Sequence, residues 1–437
     1  ILVLGGTTEG RIAVQTLEEA GEPFYYSTKG YEQDIPLHNG IRLQGGMDKD
    51  AMESFCRKEN ISLLIDAAHP FAEELHRNVN DVSDKLQIPA ILYDRIYPRI
   101  EKHDGIVWCD SFEDAVQKIK KEEVYILLAL TGVKSIGKLK ALWQESCRCY
   151  FRILDRESSR ELARSEAFPE EYLRYYHAGE DERLLIRQIR PDAIIIKESG
   201  ASGGFSEKVE AAQELGIRIF IIKRPPLQPN LLPVNGRHGL RRMVELYHPG
   251  FYDLRSGFTT GTCAAAAAAA AIWDIFNLDG TPRPPEFIVT LPNGEMIGVP
   301  VEPQKQRPRS SSVNDNWMVE SEACVIKDAG DDPDITNGMQ IKVNIALPFN
   351  MDEVNSGKQQ DDYNIIIAGG EGIGIVTMPG LGLELGAPAI NPTPRKMIEE
   401  NVRMYLSYVG VPKMSNPIVV TISVPGGEEI AKRTFNP

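Results

Sequence analysis

Cysteine is scarce in this sequence, with six residues among 437, and no pair of them forms a C-x-x-C motif. A disulfide scaffold needs dense, regular cysteines, so we expect reduced thiols and a cytoplasmic location. No apolar run approaches the roughly 20 residues of a membrane-spanning helix, so no membrane partner is expected. No signal peptide is visible. The chain opens at Ile1 inside a strand-like run, so a few preceding residues are expected.

Positive charge is also in deficit, because the formal net charge is −14. A general nucleic-acid binder would show a basic face, so no nucleic-acid partner is expected. Local groups of arginine and lysine still allow a basic pocket for a small anionic ligand. The length suggests about three domains and leaves the oligomeric state open.

Short apolar runs alternate with amphipathic stretches over the first half of the chain. This alternation predicts βαβ units and a parallel sheet in a domain spanning 1–104. The predicted strands lie near 1–4, 24–27, 62–66 and 90–93, and the predicted helices near 11–20, 50–59 and 72–86. New strands and helices predict a second α/β domain at 105–247, closed by a helix at 236–247. The predicted fold class is therefore two Rossmann-like parallel-sheet α/β domains followed by an α+β domain.

The final third of the sequence has a different pattern. A proline-bearing linker is expected at 248–254, and the α+β domain follows at 255–437. One alanine-rich helix at 263–276 precedes several strand-like runs. The glycine-rich stretch that contains Pro388, Pro392 and Pro394 is expected to be an ordered loop rather than a helix.

A glycine-rich turn follows the first strand and leads into the first helix. Such a turn lets the backbone approach a pyrophosphate, whose charge the helix N-terminus stabilises. Thr7 replaces the second glycine of the usual fingerprint, so a turn without a nucleotide stays an alternative. The predicted nicotinamide-binding residues of this turn are Gly5, Gly6, Thr7, Thr8 and Gly10.

The end of the second strand carries Ser27, Thr28 and Lys29 instead of a carboxylate. Hydroxyls and a cation suit a ribose 2′-phosphate, which favours NADPH. Asp34 lies slightly further on and keeps NADH open.

Five motifs in order resemble the precorrin-6A reductase family over roughly residues 1–247. They are LGGTTEGR (4–11), DAAHPFA (66–72), LTGVK (130–134), RILDR (152–156) and KESGASGG (197–204). Ala68 and Glu198 depart slightly from the family pattern. The resemblance implies hydride transfer from a reduced nicotinamide to one double bond of a corrin-type tetrapyrrole, the expected substrate.

His69 follows a strand end, where α/β sites assemble, and Asp66 precedes it on the same strand. His69 is predicted to exchange a proton there, the alternative being that it caps the next helix. Three cationic side chains have two possible roles: they bind the carboxylates of the macrocycle, or they form structural ion pairs. They are Lys134, Arg152 and Lys197. A second glycine-rich turn that can hold an anion contains Ser199, Gly200, Gly203 and Gly204.

Residues 254–437 carry a second resemblance. Three motifs in this part resemble those of the cobalt-precorrin-5B (C-1) methyltransferase family. They are SGFTTGTCAAAA (256–267), KDAGDDPDITNG (327–338) and PGLGLELGAPAINPTPR (379–395). That family uses S-adenosylmethionine, and its members continue beyond the position of Pro437, so this part is expected to be incomplete and its methyltransferase activity is in doubt.

The candidate site residues of this part are Thr259, Thr260, Gly261, Thr262, Asp328, Asp331 and Asp332. The hydroxyls and glycines before the alanine-rich helix make an anion-friendly amide nest, whereas the aspartates could suggest a cation site. The aspartates lack EF-hand spacing, so no metal is predicted. Cys263 at the helix start is expected to be a small buried residue rather than an activated thiol.

The two resemblances describe consecutive enzymes of cobalamin synthesis, and tethering raises the local concentration of the shared intermediate. A non-catalytic corrinoid-binding scaffold is the alternative from another class. A short-chain dehydrogenase is disfavoured, since its Tyr-x-x-x-Lys spacing occurs only at Tyr25 and Lys29, on a strand.

Overall fold

The computed structural model describes residues 1–30, 35–97, 104–177, 179–277, 281–304, 308–313, 316–350, 362–378, 382–411, 413 and 416–432. These residues form two compact units. The first consists of Ile1–Glu18 and Pro23–Pro233, and the second of Glu19–Glu22 and Val234–Pro437. None of the described helices is long and apolar enough to cross a bilayer.

The first sheet of the first unit has the strand order β12-β5-β4-β1-β2-β3. Its strands are β1 (Leu2–Leu4), β2 (Phe24–Thr28), β3 (Gly40–Gln44), β4 (Leu64–Asp66), β5 (Ala90–Tyr93) and β12 (Leu231–Val234). The pairs from β3 to β5 are parallel. The helices that accompany them are α1 (Thr8–Glu18), α2 (Lys49–Lys58) and α3 (Glu73–Leu86). β1 is buried on both faces, as a central parallel strand should be.

The second sheet of the first unit is also parallel, with the order β6-β11-β10-β7-β8-β9. Its strands are β6 (Ile106–Cys109), β7 (Ile126–Ala129), β8 (Arg148–Leu154), β9 (Leu173–Tyr176), β10 (Ala193–Lys197) and β11 (Arg218–Ile222). Its helices are α4 (Phe112–Lys121), α5 (Lys140–Trp143), α6 (Glu157–Ser165), α7 (Glu182–Ile189) and α8 (Phe205–Glu214).

Each sheet has a point where the strand order reverses. β1 lies between β2 and β4 in the first sheet, and β7 lies between β8 and β10 in the second. Ligands of open α/β sheets bind at the carboxyl ends of the strands at such points. The loops after β1, β4, β7 and β10 are therefore the ones expected to carry function.

The second unit is built around an alanine-rich helix, α10 (Thr260–Phe276), in which the eight residues from Ala264 to Ala271 are each at most 1% exposed. Small side chains let the sheet approach this helix closely. The sheet has the order β15-β16-β17-β19-β18, and a hairpin stands beside it. The strands are β13 (Glu286–Thr290), β14 (Met296–Pro300), β15 (Arg309–Val313), β16 (Asn316–Ile326), β17 (Gln340–Asn350), β18 (Ile365–Gly369) and β19 (Ile418–Ser423). The further helices are α9 (Gly236–Tyr247), α11 (Pro392–Tyr408) and α12 (Gly427–Ala431).

The predicted fold class is confirmed, with one wrong element. The sequence predicted a loop around Pro392 and Pro394, whereas the long helix α11 begins at Pro392. The physical reason is positional: proline in the first helical turn loses no hydrogen bond, because those amides have no partner within the helix. The prolines therefore mark the start of a helix.

Helix α9 has the predicted bounds but clusters with the second unit. Asn235, at its N-cap, accepts a hydrogen bond from the backbone amide of Met296 at 2.6 Å. The sequence assigned this helix to the domain at 105–247, before the linker at 248–254. Its packing makes it part of the second unit of the structure.

Candidate functional site

The turn after β1 is shaped by contact with one aromatic side chain. A Cβ added to Gly5 would lie 2.5 Å from Cε2 of Tyr26, and one added to Gly10 would lie 3.0 Å from the Cα of Gly5. Gly6 has a φ of +103°, and nothing lies within 4 Å of its would-be Cβ. The turn is thus packed tightly on one side and open above Gly6. These residues fit a pyrophosphate, which needs close approach to backbone amides.

Thr7 ties this turn to the neighbouring strand end. Its hydroxyl donates to the carbonyl of Ala67 at 2.6 Å and accepts from the amide of Gly10 at 3.0 Å. Thr7 therefore holds the two central loops of the first sheet together. Thr8, the first residue of α1, is exposed and is the threonine whose position suits a phosphate contact.

The end of β2 supplies an exposed cation. Ser27 and Thr28 are buried, and the hydroxyl of Thr28 donates to the carbonyl of Gly30 at 2.9 Å. Lys29 is exposed. Asp34, which kept NADH open, lies outside the described residues. Of this predicted set, Lys29 is thus the side chain that is exposed to solvent.

Asp66 is fully buried at the end of β4 and pairs with a residue that the sequence analysis did not select. Its Oδ2 lies 2.6 Å from Nδ1 of His76, on α3, and Nε2 of His76 lies 3.0 Å from the carbonyl oxygen of His69. Both partners are acceptors, so a doubly protonated ring satisfies both. Burial by itself lowers the pKa of His76, but the hydrogen bond and charge of Asp66 outweigh it and the pKa is raised.

His69 is held in its neutral form. Its Nδ1 accepts a hydrogen bond from the amide of Phe71 at 3.2 Å, which leaves the proton on Nε2. Burial, then the positive charges of Arg95 and Lys197 and weaker effects of His76 and Lys134, lower the pKa of His69 to about 3. His69 and Asp66 therefore form no acid–base pair; Asp66 instead fixes the His69 loop through His76.

A group of lysines lies after β7 and at the end of β10, at the strand-order reversal of the second sheet. Nζ of Lys197 lies 5.1 Å from the ring centroid of Phe71 and 5.6 Å from that of Phe112, and Nζ of Lys138 lies 4.9 Å from the latter ring. Burial, then the charges of Lys138 and Lys134, lower the pKa of Lys197 to about 8. These side chains make an electropositive region beside His69.

The loop 199–204 contacts the first sheet's helix α1. Arg95 donates to the carbonyl of Ser199 at 2.7 Å and lies 3.0 Å from Oε2 of the buried Glu9. Ser202 also donates to Glu9. Because Glu9 belongs to the first turn of α1, these contacts bring the reversal points of the two sheets together within the first unit.

The glycines of this loop are required by the same contacts. A Cβ on Gly200 would lie 2.6 Å from Cβ of Arg95, and one on Gly203 would lie 2.3 Å from Oγ of Ser199. Gly204 is the N-cap of α8 without a side-chain cap, so first-turn amides of this helix remain available to an anion.

Arg152 is buried and already paired. Its guanidinium bonds Glu182, lies 2.9 Å from Oε2 of Glu180 and stacks 4.6 Å from the ring centroid of Tyr176. Of the two roles that the sequence left open for Arg152, this arrangement is the structural ion pair. Lys134 and Lys197, in contrast, lie near His69.

In the second unit, the loop before α10 borders a cavity of about 1050 Å³. Thr259 caps the helix by accepting from the amide of Thr262 at 3.1 Å. Lys327 is 2% exposed and donates to Thr260 at 3.3 Å and to Asp334, and its charge helps hold the pKa of Asp334 at about 2 against the opposing effect of burial. Thr259, Thr260, Gly261, Thr262, Lys327 and Asp332 all line this cavity.

The aspartates of 327–338 face an arginine. Asp331 accepts from the backbone amide of Arg255 at 2.7 Å, and the Arg255 guanidinium lies 3.5 Å from Asp328. Cys263 is fully buried, and burial raises its pKa to about 12, as expected for an inert thiol.

Comparison with known proteins gives two matches along the chain. Residues 1–245 match the family model described as Precorrin-6x reductase CbiJ/CobK, and residues 248–437 match the model CbiD. Among curated proteins, the chain is 41% identical over 184 residues to a cobalt-precorrin-5B C(1)-methyltransferase of Prosthecochloris aestuarii. That alignment covers 42% of this chain and 43% of the relative. A Moorella thermoacetica protein of the same name is 42% identical over 184 residues, covering 42% of this chain and 41% of the relative. The chain thus spans less than half the length of these relatives.

Two solved structures are also similar. "CobK precorrin-6A reductase" is 21% identical with a TM-score of 0.47, covering 56% of this chain and 96% of the other. A cobalamin biosynthesis protein (cbiD) from Archaeoglobus fulgidus is 26% identical with a TM-score of 0.27, covering 42% of this chain and 48% of the other.

Proposed function

Since the chain belongs to the precorrin-6x reductase family and joins to it a segment of the CbiD family, we propose that its first unit reduces a corrin-type tetrapyrrole with NADPH. Both families belong to cobalamin biosynthesis. The substrate of the reduction is a precorrin-6A-type macrocycle, with or without cobalt.

The nicotinamide cofactor is held by the open side of the glycine turn. The backbone around Gly6 and the start of α1 take the pyrophosphate, and Lys29 takes the 2′-phosphate. When bound, the cofactor supplies a hydride. Thr7 holds the turn against the loop that follows β4, which carries His69.

The macrocycle is held by positive charge. Its carboxylates approach Lys134, Lys138 and the amides at the start of α8, because these groups lie at the reversal point of the second sheet. The neutral Nε2–H of His69 donates a hydrogen bond to the bound macrocycle. Phe71 and Phe112 exclude water beside Lys197 and offer apolar surface to the ring.

One observation carries this proposal: the reversal points of the two sheets meet inside one compact unit. Glu9, Arg95, Ser199 and Ser202 link the glycine turn of one sheet to the glycine loop of the other. A cofactor on the first loop and an anion on the second are then neighbours, as hydride transfer requires.

The test is a titration of the chain with NADPH and with NADH, followed by nicotinamide fluorescence. We expect NADPH to bind at least about 10-fold more tightly, corresponding to about 1.4 kcal/mol. Lys29→Met is expected to reduce this preference without affecting NADH, with the exposed Lys85→Met as a matched control. Addition of the macrocycle should then oxidise the bound cofactor. Absence of binding by either cofactor would leave the corrinoid-binding scaffold as the better account.

For the second unit we propose binding of S-adenosylmethionine beside the loop 256–262. The hydroxyls and helix start at this loop, together with the cavity and the CbiD-family match, support a small-molecule site there. Methyl transfer to cobalt-precorrin-5B is the corresponding proposed reaction. Calorimetric titration with S-adenosylmethionine tests the binding, and Thr260→Val should weaken it whereas the exposed Ser407→Ala should not.

A further inference from the structure

Lys197 is a partly buried lysine without the partner that such a charge normally has. Its Nζ faces the rings of Phe71 and Phe112 at 5.1 and 5.6 Å. In the part of the chain that the structure describes, this Nζ makes no hydrogen bond and no carboxylate oxygen lies within ion-pairing distance of it. Burying an uncompensated ammonium is costly, so its position calls for a functional explanation.

We propose that Lys197 is the proton donor of the reduction, delivering its Nζ proton to the macrocycle atom next to the one that receives the hydride. This inference rests on the reductase function proposed above and assigns the role for which the sequence had suggested His69.

The position of Lys197 fits this role. It ends β10 at the reversal point of the second sheet, while Phe71 lies two residues after His69 in the loop that follows β4 of the first sheet. The contact between Lys197 and Phe71 therefore places the ammonium where the two loops meet. The two rings restrict the side chain and cover part of it from solvent.

The surrounding charges tune the ammonium. Among the described residues, the charges that act on its pKa are those of Lys138 and Lys134, which are both positive, and His69 beside them is neutral. Burial and the two lysines bring the pKa of Lys197 to about 8. A general acid is most effective when its pKa lies near the working pH. His69, with a pKa of about 3, carries no transferable imidazolium proton near neutrality.

The atoms and electrons of the step balance. The reduced nicotinamide supplies a hydride to one end of a ring double bond, and the N–H bond of Lys197 breaks as a C–H or N–H bond forms at the other end. The π electrons of the double bond make the new bond to the proton. The nicotinamide ends oxidised, the macrocycle ends with two more hydrogens, and the neutral amine of Lys197 regains a proton from solvent.

Two variants separate proton donation from charge. Lys197→Arg keeps the positive charge and its attraction for carboxylates, but a guanidinium holds its proton too tightly to donate it. We expect Lys197→Arg and Lys197→Met both to lower kcat by about 100-fold or more, with KM changed only a few-fold in the arginine variant. Lys140→Met serves as the control, because this lysine is exposed and forms a surface ion pair with Glu166, and the variant should keep full activity.

The pH dependence gives an independent readout. The protonated amine is the active form, so kcat of the natural chain should fall as pH rises through about 8. Lys138→Met removes one repelling charge, which should raise the pKa of Lys197 and move the fall of kcat to higher pH. Lys197→Arg and Lys197→Met should both abolish this fall of kcat with rising pH.

The ligand-free chain provides the readout that needs no activity. Competitive amine labelling followed by mass spectrometry should show Lys197 titrating near pH 8. An arginine variant with near-normal kcat, or a Lys197 that titrates like surface lysines, would overturn this inference while leaving the reductase function intact. A natural chain that binds the macrocycle but never oxidises the nicotinamide would overturn both.

Discussion

At the residue scale, Gly5 shows why the turn after β1 needs glycine, whose side chain is a single hydrogen atom. The ring of Tyr26 occupies the space that any side chain at Gly5 would need. The amide of Gly6 donates to the hydroxyl of Tyr26 at 3.2 Å, so this ring also fixes the turn. The proposed cofactor site thus depends on contact between the Gly5 turn and Tyr26 of β2 as well as on the motif itself.

Gly5→Ala is expected to displace the turn, because the added Cβ would lie 2.5 Å from Cε2 of Tyr26. We expect NADPH affinity to fall by about 10-fold or more, corresponding to at least about 1.4 kcal/mol, in a fluorescence titration. Gly374→Ala is the control, because its Cβ would make only an ordinary contact at 3.7 Å. Unchanged affinity in Gly5→Ala would show that this turn is not the cofactor site.

His76 makes stability depend on pH. Its pKa is raised in the folded state, so the imidazolium contributes stability that is fully present below its unfolded pKa, near 6.5, and is lost as pH rises through the folded value. His76→Asn keeps a neutral donor for Asp66 but removes this charge.

We expect His76→Asn to unfold at a lower temperature than the natural chain at pH 6, with a smaller difference at pH 9. Removing one partner of a buried pair costs about 3–5 kcal/mol when the other charge remains unpaired, and the asparagine should recover part of this. Thermal unfolding at the two pH values checks it. A difference that grows with pH would contradict the imidazolium assignment.

At the scale of elements, most central strands and helices could be predicted because their signals are local. β5 and α9 have the predicted bounds, since a buried apolar run and apolar periodicity mark them. β3 was missed, because it is a partly exposed edge strand without an apolar run. α11 was missed because the prolines of its first turn suggest a loop when helix starts are ignored.

The site was predictable only in part, for a related reason. The glycine turn follows β1 and Lys197 ends β10, and both have recognisable spacing. His76 is ten residues from Asp66 in sequence and lies inside a helix, so its pairing is a tertiary contact with no local signal. The double engagement of Arg152 by Glu180 and Glu182 depends equally on tertiary contacts.

Helix α11 is joined to the β13–β14 hairpin by a buried asparagine. Asn401 accepts from the amide of Thr290 and donates to the carbonyls of Thr290 and Met397, each at 2.8 Å. Asn401→Leu leaves the amide and carbonyl of Thr290 without these partners, so we expect a loss of about 2–5 kcal/mol in unfolding free energy.

Denaturant unfolding of the second unit measures this loss. Glu400→Gln is the matched control, because this exposed residue makes only a surface pair with Lys396 and should cost at most about 0.5 kcal/mol. Equal stability of the two variants would mean that the asparagine does not hold the helix to the hairpin.

At the scale of the whole molecule, the two units have separate cores. Within the described residues, the apolar clusters of the first unit draw on residues between Leu2 and Leu231, and that of the second on residues between Phe258 and Val424. Each unit is thus expected to unfold in its own transition.

NADPH should therefore stabilise one transition only. At a concentration 100 times its dissociation constant, it adds about 2.7 kcal/mol to the unit that binds it, or roughly 5–10 °C for a unit of this size. Scanning calorimetry should show the shift in one transition of the natural chain and a smaller shift in Gly5→Ala. A shift of both transitions would contradict binding confined to the first unit.

The most direct test of the reductase assignment is a single turnover with isotopically labelled hydrogen. The chain is mixed anaerobically with a precorrin-6A-type macrocycle and NADPH deuterated at the nicotinamide, and the product mass is measured. We expect one deuterium from the cofactor in each reduced macrocycle, and a second when the solvent is heavy water, since the Lys197 proton exchanges with solvent. Bound macrocycle of unchanged mass, with the cofactor still reduced, would contradict it.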